Sequence, residues 1–380
     1  MKQTALKLTA LTLGVVASVH AASYSALGDN ADLFLTGTAA LKYDDNIFLA
    51  KTGTKSSSIF EIAPGLELAS GRASLVKGSI SVNETVVRYF DVSSQNTELF
   101  NARCGGSYDD AKLSLKLDSG FQQLAQNTRD ARLAGVISRR DVTNFAPNAE
   151  VSVSEKTIVG AGFSYDDTKY KNGGFADLTT YSIPLLAYYE VTPKLQSGFG
   201  YRYRSNDVGG TSADSTENYF NLGARGEFTP KLQGSFTIGY NERKIKSTAT
   251  TVAHNETGLG IESALNYLYT PKTTFRLSVD NGFDTAATGD SEKSFGLTGG
   301  VHAALNEELS VDGSLAYHQY KYLAVGNRKD DLYNGDLGLT YKYNAYLNFG
   351  ASYTYTSNSS SLSSAEFNDN LFRFSVSVRY

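Results

Sequence analysis

Arg202 and Arg204 stand two residues apart, and Phe199, Tyr201 and Tyr203 occupy the alternate positions around them. In an extended chain alternate residues share a face, so this spacing sends guanidinium groups to one side and rings to the other. The separation recurs where Arg243 opposes Phe236, Ile238 and Tyr240, and where Arg276 and Asp280 oppose Phe275, Leu277 and Val279. The same parity adds Arg103, Lys112, Lys116, Arg225, Arg373 and Arg379 to the polar face, with Asp118, Glu227, Glu262, Asp312 and Asp336. That inventory is mixed, with a basic excess. Guanidinium planes offer bidentate contacts to carboxylate or phosphate, so the chemistry in reach is docking or passage of a neutral or anionic hydrophilic chain. A rival reading carries equal weight: cross-strand charge pairs that only stiffen a wall.

Bond-making chemistry finds less support. Beyond residue 21 the histidines are His254, His302 and His318, and none lies in an HExxH motif or beside clustered cysteines. A Ser-His hydrolase arrangement of the outer-membrane phospholipase kind is the minor alternative. The glycines are spread along strands, not gathered before a helix to cradle phosphate. Cys104 is the single cysteine and reads as a small apolar strand residue. Asp44-Asp45-Asn46 offers oxygens to a calcium ion, but without EF-hand spacing, and Asx turns ending a strand are the favoured use. The chain is therefore expected to be no enzyme, with no cofactor and no metal.

The elements that must position these residues are strands. Segments of ten to sixteen residues with two-residue alternation run from 31 to 380, and helical periodicity is nowhere sustained. Counting them, from 31–43 and 57–69 through 195–206 and 232–245 to 367–380, predicts about eighteen. Gly 35, Tyr 25 and Phe 20, with abundant Ser and Thr, suit pleated, half-buried surfaces, and a net charge of −4 leaves no basic excess for nucleic acid. Tight turns such as Thr192-Pro193-Lys194, Thr229-Pro230-Lys231 and Thr270-Pro271-Lys272 alternate with longer loops such as 44–56, 124–138 and 285–292. Outer-membrane barrels show this asymmetry, with short periplasmic turns and long extracellular loops. Proline in turns and rarely in strands respects the ladder's need for N–H donors. Rings near strand ends, among them Tyr188, Tyr189, Tyr201, Tyr240 and Phe283, are expected to form two interfacial girdles. Segment 73–90 breaks the pattern, because Glu84 and Arg88 share parity with Val82, Val86 and Phe90, and a bulge is expected there.

Residues 1–21 read as a signal peptide, with Lys2 and Lys7 before an apolar run and a small-residue cleavage site at Val19-His20-Ala21. Residues 22–30 are expected to be a short periplasmic segment, and 31–380 one barrel domain. No later run is long and apolar enough for a membrane helix, so any crossing is made by strands closed on themselves. On the last strand Phe372, Phe374, Val376, Val378 and Tyr380 alternate with Arg373, Ser375, Ser377 and Arg379. This resembles the C-terminal signal of bacterial outer-membrane proteins, which the barrel assembly machinery reads.

Tyr43-Asp44-Asp45-Asn46-Ile47-Phe48, followed by Phe60-Glu61-Ile62-Ala63-Pro64-Gly65-Leu66, resembles the opening hairpin of the putative β-barrel porin 2 family. The resemblance extends in style over nearly the whole chain beyond residue 21. It implies an all-β transmembrane antiparallel barrel in the bacterial outer membrane, of a kind often linked to exopolysaccharide synthesis and export. The expected function is a porin-like channel for a hydrophilic polymer such as exopolysaccharide. The partners to expect are outer-membrane lipid, the assembly machinery, polysaccharide and other export proteins, and no nucleic acid. The alternative classes are a structural or adhesive barrel that binds through its loops, and a lipid or glycan hydrolase.

Overall fold

A computed structural model describes residues 25–26, 30–72, 74–249, 251–323 and 328–380. The signal peptide assigned to 1–21 and most of segment 22–30 lie outside the described residues.

Every long element is a strand, in order β1 Ser25–Ala26, β2 Ala31–Asp44, β3 Ser57–Ser70, β4 Val76–Tyr89, β5 Thr97–Asp109, β6 Leu113–Ala125, β7 Arg139–Ser152, β8 Thr157–Gly162, β9 Ser164–Tyr170 and β10 Leu178–Thr192. The chain continues through β11 Leu195–Val208, β12 Ser215–Thr229, β13 Leu232–Ile245, β14 His254–Thr270, β15 Thr273–Thr285, β16 Ser291–Ala304, β17 Leu309–Tyr322, β18 Lys329–Lys342, β19 Leu347–Ser360 and β20 Phe367–Arg379. β8 and β9 are two halves of one stave, and β1 is a two-residue appendage on β2, so the wall has eighteen staves. Each stave pairs antiparallel with the next, and β20 closes onto β2 from Thr36↔Arg379 to Asp44↔Leu371. Closure leaves no stave without a neighbour on both sides, as a strand structure in hydrocarbon requires, although the β14–β15 ladder ends at Ile261↔Asn281, short of the long-loop end.

Alternation fixes which face is wet. Leu222, Leu315 and Phe374 are 64%, 74% and 63% exposed and point outward, whereas Arg202, Glu217 and Asn241 point inward. Phe372, Phe374, Val376 and Val378 lie on the outer face of β20, opposite Tyr353, Ala351, Phe349 and Leu347 of β19.

Three of the six prolines, Pro64, Pro147 and Pro184, lie inside strands, contrary to the expectation. Each coincides with a gap in the ladder, because proline has no N–H to give. Pro147 interrupts its neighbour between β8 and β9, leaving one bond from Phe163 N–H to Pro147 O at 3.0 Å. Opposite Pro64 the ladder breaks between Ile62↔Val86 and Gly65↔Asn83 without a change of register. The expected bulge is therefore absent, and Glu84 and Arg88 keep their outward parity. Arg88 lies 2.6 Å from Glu98, whose parity is also outward.

The three Thr-Pro-Lys turns share one construction. The threonine hydroxyl accepts the lysine N–H at 3.3, 3.3 and 3.2 Å, and the register shifts immediately before each threonine. These are local devices, which is why they repeat in sequence as well as in space.

Candidate functional site

By register the nine residues Arg103, Arg202, Arg204, Arg225, Arg243, Arg276, Asp280, Arg373 and Arg379 share the face opposite the apolar one. They fall into two groups. Arg225 makes two 2.7 Å bonds to Glu150 of β7, which is not a neighbouring strand, and its guanidinium lies 3.9 Å over the Tyr188 ring. Arg202 reaches past β12 and β13 to Glu262 of β14 at 2.6 Å, across the Tyr219 ring. Arg379 pins the barrel closure, bonding Glu67 of β3 twice at 3.0 Å over the ring of Phe34 in the strand between. Such reaches need a low floor beneath the rings they cross, and glycines supply it: a Cβ at Gly198 would sit 2.5 Å from the Tyr188 ring, and one at Gly260 2.2 Å from that of Tyr219. Arg204 pairs with Glu217 at 3.3 Å, and Arg243 donates to Ser215 and to the carbonyl of Asp284.

Arg103, Arg276 and Arg373 form no ion pair among the described residues, and Asp280 stands across the ladder from another acid, Glu262. The registers also bring Glu61, Glu67, Glu150, Asp166, Glu190 and Glu217 inward, against Lys42, Lys77, Arg140 and Lys342 as added cations. The basic excess expected from the sequence is therefore narrowed, because six carboxylates join the inner face against four cations. Two girdle assignments change as well. Tyr188 is buried beneath Arg225 inside the lumen, and Phe283 is only 5% exposed.

The extracellular mouth holds what alternation could not reveal. Loop 126–138, anchored by Gln126 N–H to Ser138 O at 2.8 Å, carries Arg129 across to β16, β17 and β18. There Arg129 bonds Glu292 at 2.8 Å, Asp330 at 3.1 Å and the Tyr322 hydroxyl at 2.7 Å, and lies 3.7 Å over the Tyr320 ring. All of these groups are buried. Burial alone would disfavour the guanidinium's charge, but Glu292 and Asp130 outweigh it and hold its pKa well above the usual value. Burial likewise pushes the Asp130 carboxyl up, yet Arg129, the Ala287 N–H and the Thr128 hydroxyl together bring it below the ordinary carboxylate value.

Loop 45–56 folds in beside it. Ile47 joins Ile59, Val87, Tyr89 and Ile137 in one apolar cluster, and Leu49 joins Tyr320, Leu332 and Phe367 in another. Asn46 holds this loop in shape. Its side chain bonds Ala50 O and N at 2.8 Å each and Asn368 O at 2.7 Å, and its own N–H donates to Asp44 at 2.8 Å, an Asx turn. Asp44, Asp45 and Asp369 converge there, and Asp45 spends its oxygens on the Asn370 backbone and side-chain N–H groups. Arg132 ties the two loops together through Leu49 O at 2.5 Å. The mouth is thus narrowed by a plug of loops with its own small core.

His302 lies inward, 2.9 Å from Asp312, and no hydroxyl bonds its other ring nitrogen among the described residues. His318 stacks on Tyr320. Among the described residues neither is hydrogen-bonded to a nucleophilic hydroxyl or thiol.

Comparison with solved structures finds barrels of this architecture. The Neisseria meningitidis FrpB iron transporter has a TM-score of 0.52 at 11% identity over 87% of this chain, which spans 62% of that protein. Pseudomonas aeruginosa OccK2 (OpdF) and OccK1 (OpdK) each have a TM-score of 0.50 at 11% identity, over 92% of this chain and 98% and 99% of theirs. At such identities the likeness concerns the fold. No curated protein matches the sequence. The family model described as Putative beta-barrel porin 2 matches residues 23–380. With that match, an eighteen-stave closed wall and a polar interior, the chain is a porin-like barrel of the bacterial outer membrane and belongs to the putative β-barrel porin 2 family.

Proposed function

We propose that the barrel passes a hydrophilic, neutral or anionic chain such as an exopolysaccharide, as one component of an export route. The observation that carries this reading is the set of arginines left without an anion on the inner wall, Arg103, Arg276 and Arg373, in a lumen where the other candidate arginines are already engaged. A guanidinium without a partner is free to meet a carboxylate or sulfate on a passing polymer, whereas Arg202 and Arg204 are held by Glu262 and Glu217. On this reading the partners are outer-membrane lipid, the assembly machinery that receives the Phe372 to Tyr380 strand, and other export proteins. The aligned apolar positions of that strand and the family's frequent association with polysaccharide export support it.

The experiment is conductance in planar bilayers with acidic and neutral oligosaccharides as blockers. Replacing Arg103, Arg276 and Arg373 with Ala together is expected to move ion selectivity towards cations and weaken block by the acidic oligosaccharide. Replacing Arg202 and Arg204 is expected to lower stability and leave selectivity nearly unchanged. Equal block of both proteins by both oligosaccharides would overturn the assignment.

A further inference from the structure

We propose that the outer end of β15 is a gating flap with two seats, the inward one seen here and an outward one zipped onto the bare edge of β14. The idea rests on the channel reading above and adds its regulation.

Pairing of β13 with β14 runs to Ile245↔His254, and pairing of β15 with β16 runs to Thr285↔Ser291. Between them, however, the β14–β15 ladder stops at Ile261↔Asn281. His254–Gly260 and Gly282–Thr285 are regular strand that have no ladder partner on the sides facing each other. Among the described residues the Asn281 side chain bridges these two strands, by donating to Leu259 O.

The free end of β15 lies inside the wall. Arg204 of β11 and Arg243 of β13 donate to the carbonyls of Phe283 and Asp284 at 3.4 and 2.6 Å, bypassing β14, and Arg243 also bonds the Thr285 hydroxyl at 2.5 Å. Lys293 of β16, outward by parity, meets Glu256 on the inner face of β14 at 2.7 Å. A Cβ on Gly258, also on that inner face, would lie 4.0 Å from the Phe283 ring. Inner face therefore lies against outer face, and the wall overlaps itself at this seam.

A second seat is written into the register. Continued past Ile261↔Asn281, the ladder pairs Gly260 with Gly282, Leu259 with Phe283, Gly258 with Asp284 and Thr257 with Thr285. It sets Leu259, now 53% exposed, beside Phe283, now 5% exposed, on the lipid side and keeps Asp284 on the inner face. Glycines at three of these positions leave the zip sterically clear. In the inward seat arginines take the carbonyls of Phe283 and Asp284, and in the outward seat the ladder takes them together with the facing edge of β14, so the two are competing arrangements of one segment.

The flap's tip explains what the switch would do. Inward, Ala287 donates to Asp130 at 2.8 Å and accepts from Ala176 N–H at 2.8 Å, and Thr288 O accepts the Ser212 hydroxyl at 3.3 Å. Zipping outward withdraws residues 286–290 from the plug and widens the mouth.

The test uses full-length protein carrying Cys104→Ser. Thr257→Cys with Thr285→Cys forms a bridge only in the outward seat, and Ala176→Cys with Ala287→Cys only in the inward seat. Both bridges are expected on oxidation, read by mass, and the 257/285 lock is expected to conduct about twofold or more above the 176/287 lock. Absence of the 257/285 bridge when the 176/287 bridge forms overturns the proposal, as do equal conductances. Should no preparation conduct, the channel reading fails, and bridge formation alone then decides whether the two seats exist.

Discussion

Arg129 concentrates more of the molecule's electrostatics than any other residue of the plug, because one guanidinium satisfies Glu292, Asp330 and Tyr322 at once in a site closed to water. Arg129→Ala leaves the buried Glu292 carboxyl without its counter-charge, while Asp330 keeps Arg328 at 2.6 Å, a loss of about 3–5 kcal/mol borne by the plug, since the ladders that hold the wall are untouched. Its expected outcome is a larger and noisier single-channel conductance with unchanged thermal stability of the barrel. Asp130 gives the plug a pH dependence whose sign follows from its lowered pKa. A depressed carboxyl contributes stability that is complete above the unfolded value near 3.8 and is lost as pH falls through the lower folded value. Conductance should therefore stay steady from neutral pH down to about 4 as far as this residue is concerned, then rise on further acidification, and Asp130→Asn should remove that rise.

Among the elements, glycine and proline act at particular registers. Gly260 of β14 lies under the Tyr219 ring, and that ring carries Arg202 on its way to Glu262. Gly260→Ala brings a methyl within 2.2 Å of the ring and is expected to cost about 1–3 kcal/mol, read as a lower unfolding temperature in detergent. An unchanged temperature would mean that Tyr219 has room to swing away. Gaps at Pro64, Pro147 and Pro184 are tolerated because the neighbouring registers resume without slipping, so alternation, and with it the wet and greasy faces, survives each interruption.

For the whole molecule the decisive event is closure of β20 on β2. Leu35 and Tyr380 exchange backbone bonds at 2.6 and 2.9 Å, and Arg379 reaches over β2 to Glu67. A charge on the lipid face of this last stave attacks the closure where it is made. Phe374→Arg is expected to cost about 2–4 kcal/mol at mid-membrane and to diminish the heat-modifiable folded band on gels. Phe374→Leu should preserve that band, and loss of the band in both variants would show that the ring itself, not lipid contact, is what the position requires.

Much of this was legible in the sequence because a strand's two faces are an odd-even property of the chain itself. Eighteen staves, the inward arginines, the greasy face of the last strand and the Thr-Pro-Lys hairpins follow from spacing within a dozen residues of one another. What only the tertiary structure decided are contacts between positions far apart in the chain. Arg225 finds Glu150, Arg202 finds Glu262, Arg129 crosses the lumen to Asp330, and Phe283 is buried against the inner face of β14 although its parity points to lipid. The physical reason is closure: bending the sheet into a cylinder brings non-neighbouring strands and loops together around one axis, and parity along a single strand carries no information about what stands across that axis.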